Sequence, residues 1–242
     1  MEVTTRQEIA EFKASGSWRG LAELAREMVA DAEGKAGRSM GPLMGGGTRI
    51  MLAYEHRISD DVDIFLHDVQ WIGYLTPRLN DRFESDVKGY EEAASSLKLF
   101  LPDGEIDFII APSLLSLPAE HADEAPFALE PVEEVLAKKL FYRGWALAPR
   151  DLFDWRAVAS HLDSCHLGGL LGPLLRGEKA ALIAQALEQM RRSSAAAKVW
   201  EAMRAATKPD LVECVDWALH ELEVYVQCAP RAALRERPGP GA

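Results

Sequence analysis

Two short stretches hold the residues whose types and spacing suit chemistry. Leu43-Met44 leads into Gly45-Gly46-Gly47-Thr48, and Arg57-Ile58-Ser59-Asp60-Asp61-Val62-Asp63-Ile64-Phe65 follows. Glycines after an apolar segment let backbone N–H groups approach an anion, because no Cβ stands in the way. Asp61 and Asp63 flank Val62 inside a β-favouring run. In a strand, alternate side chains share a face, so both carboxylates point one way while Val62 and Ile64 point to the core. Two adjacent acids repel unless a cation lies between them, and oxygen ligands at this spacing suit Mg²⁺. A phosphate cradle beside metal-binding acids is the apparatus of nucleotidyl transfer.

A third acid, Asp107, lies in Glu105-Ile106-Asp107-Phe108-Ile109-Ile110. An aspartate in an apolar strand is costly to bury unless it is paired or ligates a metal. If its strand neighbours that of Asp61 and Asp63, three carboxylates meet and can hold two divalent ions, one activating a hydroxyl and one steadying a triphosphate. The plainer reading leaves Asp107 and Glu105 on the exposed face of an amphipathic hairpin.

These residues need positioning elements. Residues 8–13 and 18–33 read as helices, the second with Leu21, Leu24, Met28 and Val29 at helical spacing and Gly34 as a stop. Residues 39–44 form a first strand, weakened by Pro42. Residues 48–54 make one or two helical turns behind the glycines, residues 62–66 a second strand, and residues 69–82 a helix containing Pro77. Residues 96–101 and 105–110 around Pro102-Asp103-Gly104 read as a β-hairpin, and 112–126 as an irregular connection. From Pro131 the pattern is helical, at about 131–146, 150–162, 176–192, 195–206 and 210–227, with residues 231–242 a flexible tail. The expected fold is α+β: a mixed β-sheet with flanking helices over 1–128, then an all-helical lobe over 129–230.

Composition bounds the function class. Of 242 residues 48% are hydrophobic and 27% charged, as in ordinary globular chains. No apolar run approaches the roughly 20 residues that span a bilayer, and no basic-then-apolar secretory leader opens the chain, so no membrane role and a cytoplasmic location are expected. Cys165, Cys214 and Cys228 are odd in number with no CxxC, which fits a reducing compartment. A net charge of −11 argues against a broad nucleic-acid-coating surface. Arg191, Arg192, Lys198, Arg204 and Lys208 are the most basic stretch, either a solvated face or a contact for RNA phosphates. His161, Cys165 and His166 lack a fourth ligand and read as a helix-end cluster rather than a zinc site.

Gly46-Gly47-Thr48, the segment His56-Arg57-x-Ser59-x-Asp61-Val62-Asp63-Ile64-Phe65 and Asp107 together resemble the AbiEii/AbiGii (MenT-type) nucleotidyltransferase-like toxins of the polymerase-β-like nucleotidyltransferase superfamily. Leu136-Ala137-Lys138-Lys139-Leu140 and Arg150-Asp151-Leu152-Phe153-Asp154-Trp155 are similar to that family's lysine motif and Asp-x-x-Asp helix. The likeness covers about residues 40–160. It departs in a third glycine, in the extra acid Asp60, and in Trp155 where a smaller apolar residue is usual.

The resemblance implies a nucleotidyltransferase-like fold and a Mg²⁺-dependent transfer of a nucleoside monophosphate from an NTP to an acceptor hydroxyl. The acceptor would be a tRNA 3′ end or a protein hydroxyl, and the chain the toxin of a toxin–antitoxin pair with a cognate antitoxin. Asp61, Asp63 and Asp107 would be the metal ligands and, with Lys139 and Asp154, the catalytic set. Gly46, Gly47, Thr48, Arg57, Ser59, Lys139 and Arg143 would bind the nucleotide. Lys139 and Arg143, four residues apart, repel unless an anion lies between them: a triphosphate, or the acids of the next helix. Lys138 is the alternative register, and both lysines as solvated groups the plainer one. Asp151 and Asp154 share a helix face and could orient Lys139 and Arg143. The rival class is a non-catalytic module that holds a nucleotide or partner in the same cleft.

Overall fold

The computed structural model describes residues 4–228; the expected tail at 231–242 lies outside them. In chain order the elements are α1 (Arg6–Ser15), α2 (Trp18–Ala36), β1 (Leu43–Met44), α3 (Gly46–Tyr54), β2 (Val62–Leu66), α4 (Gln70–Leu75), β3 (Gly89–Ala93), β4 (Ser96–Leu101), β5 (Gly104–Ile110) and β6 (Ala128–Leu129). The helices α5 (Val132–Arg143), α6 (Pro149–Ala159), α7 (Ser164–Leu171), α8 (Glu178–Arg191), α9 (Ser194–Ala202) and α10 (Leu211–Cys228) follow. The fold is α+β, as expected.

Local chemistry sets the boundaries. Thr5 and Glu8 form a reciprocal capping box at the start of α1. Helix α2 runs through Gly34 and ends at Gly37, whose φ of 65° lets its N–H reach the Glu33 carbonyl at 2.8 Å. Gly34 is therefore not the stop: inside a helix it costs only some propensity, whereas the left-handed position at 37 needs glycine. The helix expected over 69–82 stops at Leu75, because Thr76 precedes Pro77 and takes an extended conformation. The first strand is shorter than expected, only Leu43–Met44. Strands β3 and β6 and helix α7 were not expected.

The six strands lie in the order β3-β4-β5-β2-β1-β6. β2 pairs with β5, and β1 with β6, in parallel; the other neighbours are antiparallel. Alternation sorts the two faces. Val62, Ile64, Leu66, Leu97, Leu99, Ile106 and Phe108 are fully buried under α2 and α4 in one core cluster. The side chains between them, Asp63, Lys98, Glu105 and Asp107, take the other face.

A second core cluster holds helices α5 to α10, with Ile50 of α3 among its buried members. Trp155 is buried at its centre, and its indole N–H donates to the Tyr225 hydroxyl at 3.1 Å. That partner satisfies a polar atom which a smaller residue there would not bring. Ile50 packs with the helical cluster while Met51 and Leu52 pack with the sheet cluster, so α3 is shared by both. No helix among the described residues is long and apolar enough to cross a membrane.

Candidate active site

The parallel register places Asp63 of β2 directly beside Asp107 of β5. The antiparallel register places Lys98 of β4 on the other side of Asp107. Asp61, one residue before β2, falls on the same face, as does Glu105. Asp107 thus sits on the strand adjacent to that of Asp63, the condition under which the three carboxylates meet. Burial raises the carboxyl pKa of Asp61 and of Asp63; the neighbouring acids, Glu105 and Asp63 for the first and Asp107 for the second, push in the same direction. Burial also raises Asp107, against the opposing charge of Lys98.

Lys98 is the feature the sequence did not offer. Its Nζ lies 2.8 Å from Asp107 Oδ2 and 2.6 Å from Glu105 Oε2. One edge of the acid cluster therefore has a built-in cation, and among the described residues no three acid, histidine or cysteine side chains converge as a ready-made metal cage. The remaining acids, Asp61 and Asp63, suit Mg²⁺, which is usually held by one or two carboxylates together with substrate phosphates. The fit is visible at Gly46: a Cβ there would stand 1.7 Å from Asp63 Oδ2, and its φ of 68° is one that side-chain-bearing residues rarely adopt. Gly47 likewise clears space for Arg57 and Ser59. The glycines make room for this chain's own side chains at the head of α3, whose first N–H groups have no partner in their helix. Gly46→Ala is expected to cost about 1–3 kcal/mol, the usual size of such backbone strain, and to displace Asp63. A lowered melting temperature together with lost activity checks this; a variant as stable and active as the parent would refute it.

Helices α5 and α6 form the opposite wall. Lys139 Nζ reaches Asp151 Oδ1 at 2.7 Å and Asp154 Oδ2 at 3.1 Å, and Arg143 lies 3.3 Å from the other oxygen of Asp151. The acid between the two cations is therefore Asp151, and of these two cations Asp154 meets Lys139 only. Asp154 is fully buried and also accepts both Nε (2.8 Å) and Nη2 (3.0 Å) of Arg57 and the Nε2 hydrogen of His56 (2.7 Å). Burial alone would raise its pKa, but Arg57 and Lys139 hold it well below the usual aspartate range.

Lys138 follows a different path. It is buried on Glu130, with Glu134 at 3.9 Å and its Nζ 4.0 Å from the centre of the Phe65 ring. Glu130 is only 1% exposed, and burial pushes its carboxyl up to about 7 despite Lys138. Lys138 therefore belongs to a structural pair, and Lys139 is the lysine on the cleft. The reading of both as solvated surface groups is overturned by their burial.

A cavity of about 150 Å³ brings together Gly47, Arg57, Ser59, Asp61, Asp63, Asp107, Lys139 and Arg143, with Lys98, Glu105, Arg150 and Asp151 added by the fold. Gly46 lines an adjoining apolar slot with Phe65, Ile109, Ala111, Val135 and Tyr142, and Asp63, Lys139 and Arg143 line both spaces. Three expected site residues are less free than their types suggest. Thr48 is fully buried, and its hydroxyl donates to the carbonyls of Asp61 and Ser59, fixing the acid loop instead of facing the cavity. Arg57 lines the cavity, but Asp154 and the Ile58 carbonyl hold its guanidinium. Asp154 stands behind Lys139 rather than in the cavity.

Several other expectations resolve into structural contacts. Asp60 turns away to Arg204 at 2.6 Å, so it adds nothing to the acid pair. Within the basic stretch, Arg191 meets Asp216, and Lys208 donates to carbonyls at the end of α9. Cys165 and His166 sit in α7 and His161 just before it.

The chain matches no protein-family model and no curated protein. Among solved structures it is similar to MenT4, a nucleotidyltransferase toxin from Mycobacterium tuberculosis H37Rv, at 14% identity over 94% of each chain with a TM-score of 0.46. It is similar to the antibiotic-resistance factor ANT(2'')-Ia at 16% identity over 64% of this chain and 90% of that one, with a TM-score of 0.45. An antigenic nucleotidyltransferase-like protein from Paracoccidioides brasiliensis matches at 16% identity over 76% and 94%, with a TM-score of 0.43. All three scores lie below 0.5, so the chemistry of this chain is read from its own residues.

Proposed function

We propose that the cleft transfers a nucleoside monophosphate from an NTP to an acceptor hydroxyl. The observation that carries this is the register of Asp63 beside Asp107, with Asp61 alongside, across one cavity from Lys139 and Arg143. Asp61 and Asp63 would hold Mg²⁺, which when bound neutralises phosphate charge and steadies the leaving group. The head of α3 offers backbone donors to the triphosphate, and Lys139, a compact point charge, holds it from the opposite wall. The adjoining apolar slot has room for the flat nucleobase. The acceptor oxygen attacks the α-phosphorus as the bond to pyrophosphate breaks. Asp107 takes the hydroxyl proton, its affinity for it raised by burial and its position fixed by Lys98.

By the resemblance of its motifs, the acceptor is an RNA 3′ end such as that of tRNA, or a protein hydroxyl. The physiological role on the same basis is that of a toxin with a cognate antitoxin, in the cytoplasm. The lobes themselves are proposed to follow residues 1–128 and 129–230.

Incubation with each labelled NTP, Mg²⁺ and total RNA or protein tests the reaction. Label in either acceptor supports it; NTP binding without transfer makes the cleft a binding module instead. Lys139→Ala against Lys138→Ala separates the two lysines. Losing a charge-assisted contact costs about 1.5–3 kcal/mol, so Lys139→Ala is expected to lower kcat/KM roughly ten- to a hundredfold, with Lys139→Arg recovering part. Lys138→Ala is expected to lose stability instead, by leaving Glu130 buried and unpaired. Unchanged kinetics in Lys139→Ala would remove the helical wall from the site.

A further inference from the structure

Behind Asp154, on the side away from the cleft, lies a pocket of about 590 Å³ that the transfer reaction does not use. Arg57 lines the cleft and its chain neighbour His56 lines this pocket, and both bond to Asp154. The His56 side chain is only 6% exposed. Because Asp154 is a carboxylate, the imidazole Nε2 carries the hydrogen between them, and burial keeps the ring neutral by lowering its pKa. Nδ1 is then an acceptor, and it is buried with no hydrogen-bond partner among the described residues. A buried polar atom left without a partner is costly, so the site calls for a donor.

The rest of the lining says what else the ligand carries. Tyr54 and His161 are stacked, with ring centres 4.0 Å apart, and form an aromatic wall. Arg6 and Arg156 line the same space, and neither makes an ion pair among the described residues. Arg156 is positioned over the Trp217 ring at 4.5 Å. Lys208 is taken by backbone carbonyls, and the one carboxylate, Glu55, is paired with Lys13 at 3.2 Å. A chain with net charge −11 therefore presents two guanidinium groups without an ion pair among the described residues, beside an aromatic wall and a buried acceptor. Guanidinium groups select phosphate, stacked rings select a planar base, and Nδ1 selects a hydroxyl or N–H. The volume falls in the ordinary range for small-molecule sites, about 300–1,000 Å³.

We propose that this pocket is a second ligand site for a nucleoside monophosphate unit, free or at the end of an RNA strand. The site rests on its own lining and stands whether or not the cleft transfers a nucleotidyl group.

The test uses the full chain carrying Asp61→Ala and Asp63→Ala, in EDTA, so that metal-dependent binding in the cleft is removed. Titration calorimetry with AMP, CMP, GMP, UMP, inorganic phosphate and a short single-stranded RNA is expected to show binding of at least one monophosphate. Adding Arg156→Gln or Arg6→Gln is expected to weaken it roughly ten- to a hundredfold, the loss of one charge-assisted contact. Adding Lys139→Ala should leave it unchanged. Both arginines are exposed, so unchanged melting temperatures will show that the fold survives. An RNA that competes with the nucleotide, with the same sensitivity to Arg156→Gln, identifies an RNA end as the source; failure of RNA to compete identifies the free nucleotide. The proposal is overturned if no monophosphate binds, if phosphate binds equally well, or if Lys139→Ala rather than the arginine variants removes binding.

Discussion

Asp63→Ala, and separately Asp61→Ala, is expected to abolish transfer while leaving the metal-free fold as stable as before or more so. The activity loss should exceed about a thousandfold, because charge stabilisation by a held metal is worth several kcal/mol and about 1.4 kcal/mol is tenfold in rate. The stability result runs against the usual cost of substitution, and its sign follows from the raised pKa values. A carboxyl whose folded pKa lies above its unfolded one binds more protons when folded. Stability then falls as pH rises from the unfolded value through the folded one, and the ionised cluster at neutral pH is a destabilising element. Removing one acid relieves that repulsion. Denaturant melts in EDTA at neutral and acid pH, beside a labelled-NTP assay, read both halves. Full activity in both variants would sink the metal assignment.

Asp154→Ala should behave in the opposite way. Three partners, His56, Arg57 and Lys139, converge on a carboxylate with no exposure, so truncation strands the buried Arg57 guanidinium and leaves Lys139 with Asp151 alone. Breaking a buried pair from one side costs about 3–5 kcal/mol, and here the loss should reach or exceed that range. Asp154→Asn keeps the shape and should lose less. The pH sign is also reversed, since Asp154 is held below the usual range. Its contribution is present above the unfolded aspartate pKa and disappears as pH falls through the lower folded one. Chemical denaturation of both variants decides this. An Asp154→Ala protein as stable as its parent would show that the four groups are not coupled.

How far the site could be read from the sequence depended on the range of the interaction. Alternation by two was enough to place Asp61, Asp63, Asp107 and the hairpin, since face and core are local properties of a strand. It could not reveal Lys98, because which strands neighbour each other is decided by the whole sheet. Strand β3 was invisible for a related reason: four of its five residues, Tyr90 to Ala93, are exposed, so it carries no alternation of burial. Arg57 offered a basic side chain near the acids, and nothing local said that its partner was Asp154, 97 residues away. Nothing local marked Glu130, which directly follows β6 and is buried against Lys138 in the second turn of α5. Helix α7 was missed because Gly168 and Gly169 lower its propensity, yet Gly168 is where a Cβ would stand 2.7 Å from that of Cys228.

Glu130 also fixes how the sheet passes into the helices. Its amide donates to the Met44 carbonyl at 2.9 Å, its own carbonyl accepts from Arg49 Nε at 2.7 Å, and its carboxylate holds Lys138. All three attachments are buried, and they lie within a few residues of Gly46 and Gly47 and of Lys139. These buried contacts join the strand end that leads into the glycines directly to the helix that carries Lys139. Under the proposed reaction, selectivity is expected to follow the shape of the gap between the acid pair and the lysine wall.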